Sequence, residues 1–304
     1  MQFPLSRIFE IVNHNIMNTA NHLIVTLKAF GDFVIAANVM KKFLDVDNQS
    51  GFYIVAGEHV RSLAEALNIN EKVFFIDDEK NLNVPAIYDI KKRGCLSATR
   101  SLLKLRKQVG GKLKPSSLVF DKLSWREYFI GMGCSLYGLP RDAPNIYLAY
   151  AKFFQAAGYK AIPQIPQKKK QLQRAVIIPN ARMSHRVIPS NLIQEIHKKL
   201  SKYGFDTELI QLNGESFNVP KGLDVKVIPR DFSCLMKEIK SAGLVVSSDS
   251  LPAHLSEFLE VPVFVLTPKP DWSIYWLPES SFKSKGMGSF HDFSNFDDWL
   301  ELYR

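Results

Sequence analysis

Residues 244–266 read LVVSSDSLPAHLSEFLEVPVFVL, and their order decides the fold. The apolar run Leu244–Ser247 ends in a polar turn, Ser247-Ser248-Asp249-Ser250. The spacing then predicts a helix over Leu251–Leu259 with Pro252 in its first turn, and a second apolar run, Val263–Leu266, follows. Short continuous apolar runs are strands buried on both faces, and two of them separated by a helix make a parallel βαβ unit. Proline is harmless in the first turn, because early helix N–H groups have no intrahelical partner. That same turn is a candidate anion site. Ser250 is placed to cap, the N–H groups of Ala253 and His254 and the helix dipole favour negative charge, and His254 can donate to a phosphate oxygen. Read as plain structure, Asp249 and Ser250 are caps and His254 is a packing residue.

Working outward, the second half begins with a strand, Ala175–Ile178. Helix Asn191–Tyr203, strands Thr207–Gln211 and Val225–Ile228, and helix Phe232–Ser241, with Asp231 as its N-cap, come before the quoted segment; a terminal helix, Phe293–Tyr303, comes after it. The first half repeats the alternation. Strand Leu23–Leu27 turns at Ala29–Gly31 into helix Phe33–Leu44. Then come strand Phe52–Ala56, helix His59–Leu67, strand Val73–Ile76, helix Ser97–Val109 stopped by Gly110-Gly111, strand Leu118–Asp121, and a helix through Trp125, Tyr128, Phe129 and Met132. Ile162–Arg174 (IPQIPQKKKQLQR) has no periodicity and reads as a linker. The expectation is an α/β protein of two domains, 1–162 and 175–304, joined by residues 163–174. The terminal helix has room to pack back on the first domain.

The 304 residues are 46% hydrophobic and 23% charged, a globular balance that excludes wholesale disorder. No apolar stretch is long enough to span a bilayer. Met1–Thr19 contains Arg7 and Glu10 and lacks a small-residue cleavage site, so it reads as a poor signal peptide. Cys95, Cys134 and Cys234 are scattered and odd in number, which argues against a disulfide framework or zinc site and for a reducing cytoplasm. The net charge of +9 is local. Lys91, Lys92, Arg93, Arg100, Lys104, Arg106, Lys107, Lys112 and Lys114 share a window with no acid. Such a face suits an anionic partner, with a solvated helix face as the plainer reading. The expectation is reversible attraction of Arg100, Lys104, Arg106 and Lys107 to anionic lipid or a phosphorylated glycolipid, without stable insertion. The window has no interleaved aromatics, so nucleic acid is not an expected partner.

Two further segments end at strand termini, where α/β sheets bind ligands. Lys28-Ala29-Phe30-Gly31-Asp32 follows the first strand, with Gly31 allowing a tight turn and Asp32 at a helix N-terminus. Pro179-Asn180-Ala181-Arg182-Met183-Ser184-His185-Arg186-Val187-Ile188-Pro189 follows the first strand of the second half and offers two arginines suited to bidentate phosphate binding. The chain contains no GxGxxG, GxxxxGK[ST] or HExxH pattern, which disfavours a dinucleotide dehydrogenase, a P-loop NTPase and a zincin.

In this order and spacing the segments resemble glycosyltransferase family nine, the heptosyltransferase family of bacterial surface-polysaccharide synthesis. LIVTLKAFGDFVIAAN resembles its strand–GD–helix opening, LVFDKLSWR its mid-domain strand and loop, IIPNARMSHRVIP its PGA…(K/R)xWP loop, and SSDSLPAHLSEFLEVPVFVLTPKPD its DTGxxHLAAALGxPVVALFGPTDP block. Asn180 and Leu251 stand where that family has glycine, Asn38 where it has proline and Ile188 where it has tryptophan.

The resemblance implies a GT-B fold: two Rossmann-like domains with parallel sheets facing a central cleft, acceptor on the first and nucleotide-sugar on the second. It implies inverting transfer of a sugar, a heptose in the heptosyltransferases, from a nucleotide-diphosphate sugar such as ADP-heptose, with no metal or other cofactor required. The acceptor it implies is a lipopolysaccharide or related surface glycan, an anionic glycolipid or oligosaccharide, and the location is the cytoplasmic face of the inner membrane. Asp32 is then the general base, and Lys28, Phe30 and Gly31 form the acceptor loop. Asn180, Arg182, Arg186, Asp249, Ser250, Pro252, Ala253 and His254 bind the donor, and Thr267–Asp271 border the nucleotide. Two alternatives stay open, a nucleotide-sugar hydrolase or epimerase of the same fold and a transfer-inactive binding protein.

Overall fold

The computed structural model describes residues 22–27, 29–43, 51–76, 94–113, 115–161, 173–215, 217–220 and 222–303. The chain divides into two compact units, each built on one wholly parallel sheet. Lys28, Lys91, Lys92, Arg93, Lys114 and most of the expected linker lie outside the described residues.

The first sheet has the order β3-β2-β1-β4-β5. Its centre is β1 (His22–Thr26), buried along its whole length because LIVT-type side chains fill both faces of a sandwiched sheet. β1 pairs with β2 (Phe52–Gly57) on one side and β4 (Ser117–Phe120) on the other; β3 (Val73–Ile76) and β5 (Ser135–Gly138) form the edges. Helix α1 (Phe30–Phe43) begins three residues earlier than the sequence suggests, so Gly31 lies inside its first turn and makes no separate tight turn. The Phe33 N–H closes that turn on the Ala29 carbonyl. α2 (Arg61–Ala66) is preceded by a 3-10 turn. α3 (Cys95–Arg106) does not stop at Gly110-Gly111. It widens into a π-helical stretch, Lys107–Leu113, that carries Val109 into the core beside Leu102 and Leu105. α4 (Trp125–Ile130) starts at a capping box in which the Glu127 carboxylate accepts the Ser124 N–H at 2.8 Å.

Two elements of the first unit were not expected, nor were the short helix Glu279–Lys283 and the strand Met287–Ser289 of the second. β5 (SLYG) is a short edge strand without alternation. α5 (Ile146–Ala156) carries only Lys152 and Gln155 on its exposed stripe, too few polar residues to mark a 3.6-residue period in the sequence. Its entry, Pro144–Leu148, groups with the second unit.

The second sheet has the order β11-β10-β9-β6-β7-β8. β6 (Arg174–Ile178), which includes Arg174 from the expected linker, pairs with β7 (Asp206–Leu212) and β9 (Leu244–Ser248); β8 (Val225–Ile228) lies beyond β7, and β10 (Val263–Thr267) and β11 (Met287–Ser289) lie beyond β9. α6 (Ser190–Lys202) and α8 (Leu251–Phe258) connect strands; α7 (Phe232–Lys240) is capped by Asp231, whose carboxylate accepts the Cys234 N–H at 2.9 Å. α9 (Glu279–Lys283) precedes β11. The terminal helix α10 (Phe296–Glu301) buries Phe296, Trp299 and Leu300 against Phe264, Leu192 and Ile177, inside its own unit.

Each sheet reverses its strand order once, between β1 and β4 in the first and between β6 and β9 in the second. Loops that leave the carboxyl ends of such a strand pair splay to opposite faces and open a crevice, which is where α/β sheets bind ligands. The segments singled out in the sequence leave β1, β6 and β9, at these two positions.

Candidate functional site

In the second unit, β6 and β9 run level, Ile178 opposite Ser247, so the loops that follow them start side by side. The β6 loop is pinched at its base by a hydrogen bond from the Ile188 N–H to the Pro179 carbonyl at 3.1 Å. Ile188 anchors it by inserting into the core among Leu192, Val246 and Leu266. Between these ties a 3-10 turn, Ser184–Arg186, fixes the backbone of Arg186, whose N–H bonds the Met183 carbonyl.

The Arg186 guanidinium reaches across to the β9 loop. Its Nη1 is 3.3 Å from Asp249 Oδ2 and donates to the Asp249 carbonyl at the same distance. The buried Asp249 carboxylate also accepts the indole N–H of Trp272 at 2.8 Å. The ring of Trp272 in turn lies 4.9 Å under the Arg186 guanidinium carbon. The three side chains therefore form a closed triangle of ion pair, charge-assisted hydrogen bond and cation–π contact. Arg186 Nε is buried in this triangle without a hydrogen-bond partner.

His254 lies one turn into α8 and is buried. Its Nδ1 is 3.0 Å from the hydroxyl of Tyr147, itself almost wholly buried. Burial pushes the His254 imidazole below the ordinary histidine value; Arg186 acts in the same direction, and Asp249 and Glu257 oppose. Burial, with Glu257 and Glu279 adding to it, holds the Tyr147 phenol well above the usual tyrosine range. Near neutral pH the pair is an uncharged imidazole beside an uncharged phenol, able to donate a hydrogen bond without adding charge.

Asn180 opens the β6 loop. Its Nδ2 donates to Glu215 Oε2 at 2.9 Å, while its Oδ1 is buried with no partner. Glu215 lies on the loop after β7, with Arg230 Nη2 at 4.0 Å from its other oxygen. An unpaired buried acceptor beside a carboxylate is an arrangement that a hydroxyl-bearing ligand would complete.

Three expectations about these residues change. Ser250 occupies the N-cap position of α8, but its hydroxyl does not cap the helix; it turns back to the carbonyls of Ser248 at 3.2 Å and Asn180 at 3.4 Å. That knits the two loops together. The Ala253 N–H is not free for an anion, because it donates to the Ser250 carbonyl at 3.1 Å. Arg182 is exposed and takes no part in the triangle, since the turn that fixes Arg186 lies beyond it in the loop. Pro252 is buried in the first turn of α8, as expected there. The sequence reading missed Trp272, Tyr147 and Glu215. A lone tryptophan directly after Pro-Lys-Pro-Asp was the available signal for the first, whereas Tyr147 is 107 positions from His254 and nothing local points to it.

In the first unit, Asp32 stands in the first turn of α1, directly beyond the carboxyl end of β1, and is half-buried, as are Phe30 and Gly31. The Phe30 ring packs edge-on against His59, with centroids 5.5 Å apart. Among the described residues no group of three or more His, Cys, Asp or Glu side chains is placed to hold a metal ion.

Two parallel α/β units, each with its polar loops at a strand-order reversal, define the GT-B class of glycosyltransferase fold. Solved structures of that class bear this out. The chain is similar to the Escherichia coli heptosyltransferase WaaC with ADP, at 13% identity and a TM-score of 0.61, over 93% of this chain and 100% of that one. It is similar to the glycosyl transferase family 9 protein of Veillonella parvula at 12% identity and a TM-score of 0.59, over 90% and 86%. It is also similar to the E. coli ADP-heptose lipopolysaccharide heptosyltransferase II, at 12% identity and a TM-score of 0.54, over 93% and 97%. At these identities the likeness is one of fold. No sequence-family model matches the chain, and no curated protein does.

Proposed function

We propose that the protein is an inverting glycosyltransferase that moves a sugar, a heptose in the reading we favour, from a nucleotide-diphosphate sugar to a lipopolysaccharide or related anionic glycan. The observation that carries this reading is the meeting of Arg186, Asp249 and His254 at the β6–β9 reversal of the second unit. A diphosphate leaving group gains negative charge as the bond to the anomeric carbon breaks, so a cation held in place before the reaction stabilises the transition state more than the ground state. In this reading Arg186 binds the diphosphate, supported by the imidazole of His254 and the dipole of α8. Asn180 and Glu215 accept hydroxyl hydrogens from the nucleotide or sugar. Asp32 takes the proton of the acceptor hydroxyl as its oxygen attacks the anomeric carbon on the face opposite the diphosphate. Solved neighbours crystallised with ADP and with ADP-2-deoxy-2-fluoro heptose favour an adenine nucleotide as the first donor to try.

A thermal-shift panel of ADP-, GDP-, UDP- and CDP-sugars tests the donor half, since a ligand at 100 times its dissociation constant stabilises by about 2.7 kcal/mol. Nucleotide release measured with and without acceptor glycan tests the transfer half. Release that does not depend on acceptor would replace this reading with a hydrolase or epimerase. Donor binding without turnover would replace it with a binding protein.

A further inference from the structure

We propose that Tyr147 of α5 is a positioning residue for the donor site: its hydroxyl donates to Nδ1 of His254 and so keeps the imidazole proton on Nε2. Nε2 then donates to a phosphate oxygen of a nucleoside diphosphate. The inference rests on the donor-site reading and deepens it. What it adds is the group that sets the chemistry of His254, supplied from 107 positions away in the chain.

Tyr147 stands in the first turn of α5, and its place is fixed by its neighbours. Asn145, wholly buried just before the helix, accepts the Tyr147 N–H on Oδ1 at 2.9 Å and donates from Nδ2 to the Leu277 carbonyl at 2.8 Å. Leu277 closes the 3-10 turn Ile274–Trp276, in the segment that also carries Trp272. Tyr147 is thus tied to the stretch of chain that holds Asp249. His254 is set by α8, which Glu257 joins to α9 by accepting the Ser280 N–H at 2.9 Å. Tyr147 Oη and His254 Nδ1 are 3.0 Å apart, and both side chains are buried. Neither has to be ordered when a ligand arrives, so the contact is preorganised. The charges of Arg186 and Asp249 act on the imidazole, and the ring therefore belongs with the triangle.

A neutral imidazole carries one N–H, and the bond made by one nitrogen decides which of the two holds it. With the proton on Nδ1, the ring would donate to the phenol oxygen and leave Nε2 a bare acceptor, which repels phosphate oxygens. The buried phenol would then need a further acceptor for its own proton. With the proton on Nε2, one bond satisfies both the phenol O–H and Nδ1, and the ring becomes a donor toward an anion. The acidities favour the same arrangement. The phenol, at an ordinary value of about 10, is the stronger acid of the two neutral donors, and the imidazole nitrogen is the more basic acceptor. Burial opposes a charged ring, so an uncharged Nε2–H is what His254 offers a diphosphate beside the Arg186 cation.

The test uses the full chain. Long-range proton–nitrogen correlation spectra at neutral pH, with His254 assigned through its backbone, read the tautomer directly and need no variant. The wild type should carry the proton on Nε2 with a hydrogen-bonded, unprotonated Nδ1, and Tyr147→Phe should shift the ring toward a mixture of tautomers. Titration calorimetry then takes whichever of ADP, GDP, UDP and CDP binds the wild type most tightly. Tyr147→Phe should weaken that nucleotide about three- to tenfold, the span of one neutral hydrogen bond. In a His254→Ala background the same substitution should change affinity by less than about twofold, because Tyr147 acts through the imidazole. A wild-type proton on Nδ1, a tautomer unchanged in Tyr147→Phe, or an equal loss of affinity in both backgrounds would each overturn the inference, the last assigning Tyr147 to packing alone. A wild type that binds none of these nucleotides would overturn the donor-site reading and this inference with it. An Nδ1–H tautomer in a wild type that binds nucleotide would overturn the inference and leave that reading standing.

Discussion

The indole N–H of Trp272 donates to the buried carboxylate of Asp249 at 2.8 Å, and the same carboxylate faces the Arg186 guanidinium at 3.3 Å. Asp249 is thus held from two sides by residues on two other loops, one after β6 and one after β10. A buried carboxylate is stable only when it is paired and hydrogen-bonded, so each partner protects the other contact.

Trp272→Phe keeps a ring under Arg186 but deletes the donor to Asp249. Hydrogen bonds to charged groups contribute about 1.5–3 kcal/mol, so unfolding in urea should show a loss of that order. An unchanged midpoint would mean that water replaces the indole at no cost and that the triangle is not a structural clamp.

Arg186 and Arg182 belong to the same loop, and the structure separates them. Arg186→Ala should weaken nucleotide-diphosphate binding by about tenfold or more, the loss of one charge-assisted contact. Arg182→Ala, an exposed position outside the triangle, should change affinity by less than about threefold, because exposed charges contribute little. Isothermal titration of ADP into the three proteins decides it. Equal losses in both variants would return the phosphate site to a diffuse basic loop.

His254 should make stability depend on pH. Its folded value lies below the ordinary 6.5 because the imidazole is buried. Above both values the residue is neutral in the folded and unfolded chains and contributes no pH dependence. As pH falls below 6.5 the unfolded chain takes up a proton that the folded one refuses, so stability declines until the folded value is reached. Melting temperatures between pH 5 and 8 should therefore fall more steeply in the wild type than in His254→Gln. Tyr147→Phe, which leaves Nδ1 without its partner, should cost about 1–3 kcal/mol at neutral pH. Parallel wild-type and His254→Gln curves would show that His254 titrates normally.

Much of the fold was legible because parallel strands buried on both faces are written as unbroken apolar runs: LIVT in β1, VFVL in β10 and LVV in β9 need no alternation to be read. The helices with one wet face were equally plain, as in α6, where Leu192, Ile193, Ile196 and Leu200 mark the core side. The misses have physical reasons. α5 has only Lys152 and Gln155 on its exposed stripe, and β11 is three residues of an edge. Gly110-Gly111 reads as a stop although a π-helical turn, which leaves one more residue per hydrogen-bonded ring, accommodates both glycines. At the site, strand-end position revealed Asp249, Arg186 and His254, since the topology places every such loop at the same edge. Their partners were hidden, because Trp272 and Tyr147 reach them through tertiary contacts that no local pattern encodes.

The last prediction concerns Asp32, which the proposed reaction makes the proton acceptor. Its position is set by the fold: β1 is the central strand of the first sheet, the order reverses between β1 and β4, and Asp32 lies in the first helical turn after β1. A carboxylate there is compatible with the helix dipole and is presented at the edge where such sheets bind ligands. Asp32→Asn has almost the same shape and retains the helix-terminal polarity, but it cannot accept a full proton. If Asp32 is the base, turnover with acceptor glycan should fall by about 10²–10⁴-fold, while donor affinity, which the proposed function assigns to the second unit, stays within about twofold of wild type. Asp32→Glu should recover part of the rate because it restores the base at a displaced position. An N-cap or packing role would give the opposite pattern, with urea stability falling in Asp32→Asn and little change in turnover per folded molecule. Equal turnover of Asp32→Asn and wild type would remove Asp32 from the chemistry and send the search for the base to the loop after β4, on the other side of the same reversal.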